Sequence, residues 1–169
     1  MLTRVLPLFL LALTLGACTK PAATMPDGSA IAIMVAVDRG IEPGFNEGQI
    51  DRRNQVGDWM EADLVKILNN WGYQASIAGD TQPGPGRYVL TTRITNYNPG
   101  SKAARMFGGI VGGIAGKAVV DTHWELLGEG GSMTGNDESV ASTEDWNYAV
   151  RKVNKLTVQG LTARLKQGL

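Results

Sequence analysis

GDWMEADLVKILNNWGYQASIA, residues 57 to 78, changes its period part-way along. With Val56 just ahead of it, Val56, Trp59, Met60, Leu64, Ile67, Leu68 and Trp71 recur mostly three and four apart, which predicts a helix over about Gln55 to Trp71 with one apolar stripe. Glu61, Asp63 and Lys66 fall mostly off that stripe. Gly72 is a natural C-terminal cap, and Tyr73 to Ala78 then reads as a short strand. A helix with a single apolar stripe that passes straight into a strand belongs on a sheet.

Working outward, AIAIMVAVD (Ala30 to Asp38) is an almost continuous apolar run too short for a helix, which suits a strand buried on both faces in mid-sheet. The polar run EPGFNEGQIDRRN joins it to the helix. On the other side, RYVLTTRITNY (Arg87 to Tyr97) alternates, with Tyr88, Leu90, Thr92 and Ile94 on one face and Val89, Thr91, Arg93 and Thr95 on the other. In KAVVDTHWELLG, Ala118, Val120, Thr122, Trp124 and Leu126 oppose Asp121, His123 and Glu125, as expected where one side is solvated. A weaker strand around Ser132 to Ala141 pairs with it across the turn GEGG. A last helix is predicted from about Asp145 to Leu165, with Ser142 or Thr143 as its cap and Trp146, Val150, Val153, Leu156, Leu161 and Leu165 facing the core. The expected fold is α+β: one mixed or antiparallel sheet of about five strands under two helices, in the order β-α-β-β-β-β-α.

The first residues give an address. Arg4 makes a positive n-region, VLPLFLLALTL (Val5 to Leu15) an apolar h-region, and Gly16 and Ala17 are small, the pattern of an export signal. As a helix the h-region reaches about 16 Å, against about 30 Å of hydrocarbon, so it is too short for a permanent span. Leu15-Gly16-Ala17-Cys18 resembles the lipobox of bacterial lipoproteins. That resemblance implies cleavage before Cys18, diacylglycerol on its sulfur and acyl chains such as palmitate, together enough for stable anchoring. Cys18 is the only cysteine, so no intramolecular disulfide is possible. Thr19 rather than Asp after the cysteine implies, by the same resemblance, the periplasmic side of the outer membrane. The expected organisation is a signal peptide (1–17), a lipidated cysteine and flexible tether (18–29, rich in Pro, Gly and small polar residues) and one periplasmic domain (30–169).

Charge and motifs narrow the function classes. The chain has 16 basic and 16 acidic residues, and loss of Arg4 leaves 15 against 16, without the basic excess that nucleic-acid binding uses. The stretch MFGGIVGGIAGKAVV (106–120) is not a phosphate loop: the register ending at Gly116-Lys117 has Val111 and Ala118 where glycine and a hydroxyl are needed. It contains no GxGxxG, so no nucleotide partner is expected. Gly108, Gly112 and Gly116 are four apart, as are Gly109 and Gly113, and a helix there would offer a smooth ridge for a partner. The alternative is a glycine-rich connection into the following strand.

No catalytic residue, metal or cofactor is expected. His123, the only histidine, shares a strand face with Asp121 and Glu125, a weak set of metal ligands that a solvated strand face explains better. There is no GxSxG elbow. Asp137-Glu138 and Glu144-Asp145 fit loop or helix-end positions, Trp59, Trp71, Trp124 and Trp146 fit the core, and Arg151, Lys152 and Lys155 fit a wet helix face. The lipobox, GDWMEADLVKILNNWGY, RYVLTTRITNYNPG, the glycine stretch and VVDTHWELLGEGG together resemble small bacterial envelope lipoproteins of an uncharacterised domain family, near the YajG-type lipoproteins. They are more distantly similar, in element order, to the periplasmic domain of the curli-secretion lipoprotein CsgG. The resemblance implies a compact α/β periplasmic domain and no catalytic residues. The expected function is binding or assembly with an envelope protein partner by a lipid-anchored protein; the alternative is a glycine-zipper oligomer at the membrane built on residues 106–117.

Overall fold

The structure, a computed structural model, describes residues 22–79, 83–101, 116–135 and 137–168. Its elements are β1 (Ala32–Asp38), α1 (Glu47–Asn70), β2 (Gln74–Ile77), β3 (Arg87–Asn98), β4 (Ala118–Gly128), β5 (Gly131–Thr134), β6 (Glu138–Ser142) and α2 (Trp146–Gly168). They form the expected α+β fold with one mixed sheet. The strand order is β2-β1-β3-β4-β5, with β6 also on β4; β1 is parallel to β2 and β3, and the remaining pairs are antiparallel.

Helix α1 starts eight residues before its predicted first residue, Gln55. Asn46 and Gln49 form a capping box: the Gln49 N–H donates to Asn46 Oδ1 at 3.0 Å, and the Asn46 N–H donates to Gln49 Oε1 at 2.9 Å. The first two turns bury no apolar residue, so the stripe gave no sign of them. At the other end Gly72 (φ +97°) closes a Schellman motif, its N–H donating to Asn69 O and that of Tyr73 to Leu68 O.

Both helices cover one face of the sheet, α1 over β1 and β2 and α2 over β4 and β6. The inward alternation of β3 and β4 is as read from sequence: Leu90, Ile94, Val120, Trp124 and Leu126 are buried, with Ile33, Val35 and Val37 of β1, against Met60, Leu64, Leu68, Val150, Val153 and Leu161. β1 departs from expectation, since only one of its faces is covered by helices. On the other, Ala32 and Ala36 are partly exposed, while Met34 is buried between its register partners Ser76 and Val89. Between the two helices, Asn154 Nδ2 of α2 donates to Asp63 Oδ2 (2.9 Å) and Met60 O (3.2 Å) of α1. No helix among the described residues is long and apolar enough to cross a membrane.

Part of the expected tether is folded onto the domain. The Ala22 N–H donates to Trp71 O (3.0 Å) and the Ala23 N–H to the Tyr73 hydroxyl (3.2 Å), which itself donates to Thr162 Oγ1 (2.9 Å). Thr24 bridges Ala30 around the turn Pro26-Asp27-Gly28, and Ala23 is buried. Proline and glycine here mark a turn in a packed segment, which composition alone does not distinguish from a loose one.

Candidate functional site

The sheet is irregular on both sides of His123. In β3 the register on β4 slips between Ile94 and Asn96, a bulge at Thr95. Across β4, the single strand expected over 132–141 is two, and the register steps by one residue between β5 and β6. Bulges bend strands and re-aim side chains. Here they gather Thr95, His123 and Asp137 at one open cavity of about 320 Å³, lined also by Gly40, Glu42, Arg93 and Ile94. His123 Nδ1 lies 2.7 Å from Asp137 Oδ1, which favours the tautomer that donates to the carboxylate and leaves Nε2 as an acceptor. Arg93 Nε lies 3.5 Å from Asp38 Oδ2 at the end of β1.

The loop from β1 to α1 forms the other wall. Gly40 (φ +58°) lies so close to β3 that an added Cβ would stand 2.0 Å from Ile94 O, so only glycine fits. Arg53 pins this junction: its Nη1 donates to Ile94 O (3.2 Å) and Arg39 O (3.4 Å), and its Cζ stands 5.6 Å from the Phe45 ring centroid. Because of the bulge, Tyr97 pairs with Val120 and returns to the helix side, where burial pushes its phenol up to about 12. Desolvation lowers the pKa of Arg53. A second, smaller cleft of about 150 Å³ lies there, lined by Phe45, Gln49, Arg52, Arg53, Tyr97 and Pro99.

Asp121, His123 and Glu125 share a face, but each has its own partner: Asp121 accepts from Asn96 Nδ2 (2.9 Å) and Ser139 Oγ (2.5 Å), and Glu125 from Ser132 Oγ. Among the described residues no three of His, Cys, Asp and Glu are grouped to hold a metal. Trp124 is in the core, while Trp59 meets Trp146 edge to face (5.9 Å between centroids) and carries the Arg151 guanidinium over its ring. Lys152 and Lys155 are exposed, whereas Arg151 lies 3.6 Å from Asp63. Cys18, Gly108, Gly109, Gly112 and Gly113 lie outside the described residues. Gly116 is described: it is buried, and its carbonyl accepts the Ser101 N–H (3.1 Å), closing the neck from which residues 102–115 leave and return.

Sequence reading missed Asp38, Glu42, Arg52, Arg53 and Tyr97 as site residues. The available signal was Gly135 inside a strand pattern, which marks a bulge.

No family model matches the chain, and no curated protein matches it. Among solved structures it is similar to a PelC dodecamer from Paraburkholderia phytofirmans in two crystal forms. The first has TM-score 0.47 and 16% identity over 85% of this chain and 94% of that one. The second has TM-score 0.47 and 15% identity over 81% and 92%. It is also similar to protein XCC0632 from Xanthomonas campestris, of the uncharacterised domain family DUF330, with TM-score 0.45 and 14% identity over 90% of this chain and 93% of that one. These are distant similarities, and the functional reading rests on the chain's own residues.

Proposed function

We propose that the chain is a lipid-anchored cell-envelope protein, on the periplasmic face of the outer membrane, that acts by binding or assembly with an envelope partner and not by catalysis. The observation that carries this is the junction of leader and domain. A charged, apolar leader ends in Leu15-Gly16-Ala17-Cys18, and Ala22, four residues on, is bonded to the domain through Trp71 O. Four residues reach at most about 14 Å, so acylation of Cys18 would hold that end of the sheet close to the bilayer. β3, with 12 residues, spans about 36 Å away from it and carries both cavities at its far end. That arrangement supports presentation of a binding surface towards the periplasm. The kinship to YajG-type lipoproteins belongs to the same proposal.

Mass spectrometry of the amino-terminal peptide from native envelopes tests it. A diacylglyceryl Cys18 is expected, with Cys18→Ala soluble or signal-bound; an unmodified cysteine, or a different first residue, refutes the anchor.

The second reading, a glycine-zipper oligomer, is favoured by the closed neck at Ser101 and Gly116. An oligomer that dissociates on Gly112→Leu in sedimentation would support it, and a monomer would refute it.

A further inference from the structure

The small cleft between the start of α1 and the end of β3 has an unusual balance of polar groups. Arg52 and Arg53 contribute only donors. The Gln49 carbonyl already accepts the Asn46 N–H in the capping box, which leaves its NH₂ group as a donor. The Tyr97 hydroxyl can donate as well as accept. Phe45 and Pro99 complete the wall without a side-chain acceptor. Among the described residues, neither arginine forms an ion pair with a carboxylate. The acid that acts on Arg53 at longer range is Glu42, which lines the neighbouring cavity.

We propose that this cleft binds a glutamate side chain of an acidic peptide segment on the protein's partner. A carboxylate is acceptor-only and complements a donor-rich site, and guanidinium forks match it two bonds at a time. A sugar ring offers as many donors as acceptors, and its hydroxyl hydrogens would find few acceptors here. The volume, about 150 Å³, accommodates one side chain, and the Phe45, Tyr97 and Pro99 surfaces suit a short methylene stem. Arg53 is already held by two carbonyls and the Phe45 ring, so little side-chain freedom is lost on binding. Arg52 is exposed at the rim and supplies the second guanidinium.

The inference rests on the binding reading above and names its partner chemistry; it is independent of the lipid. The test is isothermal titration of the purified full-length chain in detergent at low salt with hexaglutamate, with hexaglutamine, trigalacturonate and inorganic phosphate as comparisons. Hexaglutamate is expected to bind in preference to all three, about tenfold more weakly to Arg52→Gln and unchanged to Lys152→Gln, a charge loss on α2. Arg52 is a surface residue, so its replacement leaves the fold intact. Equal binding of hexaglutamine, equal loss in both variants, or tighter binding of phosphate or trigalacturonate overturns the assignment. Failure here leaves the mass of the amino-terminal peptide untouched, so the two proposals fail separately.

Discussion

Replacing Trp124 by alanine tests the register of β4 and the packing of its neighbours together. Trp124 is 1% exposed and wedged between two glycines: a Cβ on Gly135 would lie 1.9 Å from its ring, and one on Gly160 3.1 Å. Burying an indole of this kind removes about 150–250 Å² from water, an upper estimate of about 4–6 kcal/mol. Against this, its Nε1 is buried without a hydrogen-bond partner among the described residues, and removing it relieves about 1–3 kcal/mol of desolvation. The difference is about 1–5 kcal/mol, and the cavity left behind adds to it, so the cost should fall in the range of about 3–5 for Trp→Ala in cores. For a domain stable by about 5–15 kcal/mol this is a large share, and it should lower the urea midpoint by roughly 2 M. His123→Ala, one residue away, removes a side chain that is 41% exposed and paired with an Asp137 that is 84% exposed. It should cost less than about 1 kcal/mol. Urea unfolding followed by circular dichroism gives both values. If His123→Ala is the more damaging, the strand faces are inverted and the cavity built on His123 is lost with them.

A chain beginning at Pro26 should be less stable than one beginning at Thr19 by about 1–3 kcal/mol in the same assay, because it loses the hydrogen bonds of Ala22 and Ala23 and the burial of Ala23. Equal midpoints would show that residues 22–25 are a tether after all. Burial raises the Tyr97 phenol to about 12 from its ordinary 10, so the folded state favours the proton. Its contribution to stability is complete below pH 10 and lost as pH rises towards 12. Tyr97→Phe should therefore lose less stability than the parent chain between pH 10 and 12, and a parallel loss in both would refute the shift.

Periodicity carried most of the fold. The three-and-four spacing around Met60 and Leu64 and the alternation from Tyr88 to Ile94 and from Ala118 to Leu126 were legible because each records which side of an element meets the core. Gly72 was legible as a cap because its role needs only local backbone. The leader and Cys18 are likewise local patterns, and the sequence alone supports the address they give. The early start of α1 rests on a local pair, Asn46 and Gln49, which buries nothing and so left no mark on the apolar period. The rest required partners distant in the chain. The docking of Ala22 and Ala23 depends on Trp71 and Tyr73, about fifty residues on. His123 meets Asp137, and Arg53 meets Ile94, only because two bulges and a glycine at Gly40 bring loops and strand ends to one corner of the sheet. A hydrophobic period reports burial and is silent about which polar groups meet at an edge. That is decided by strand register and loop closure, which only the tertiary structure contains.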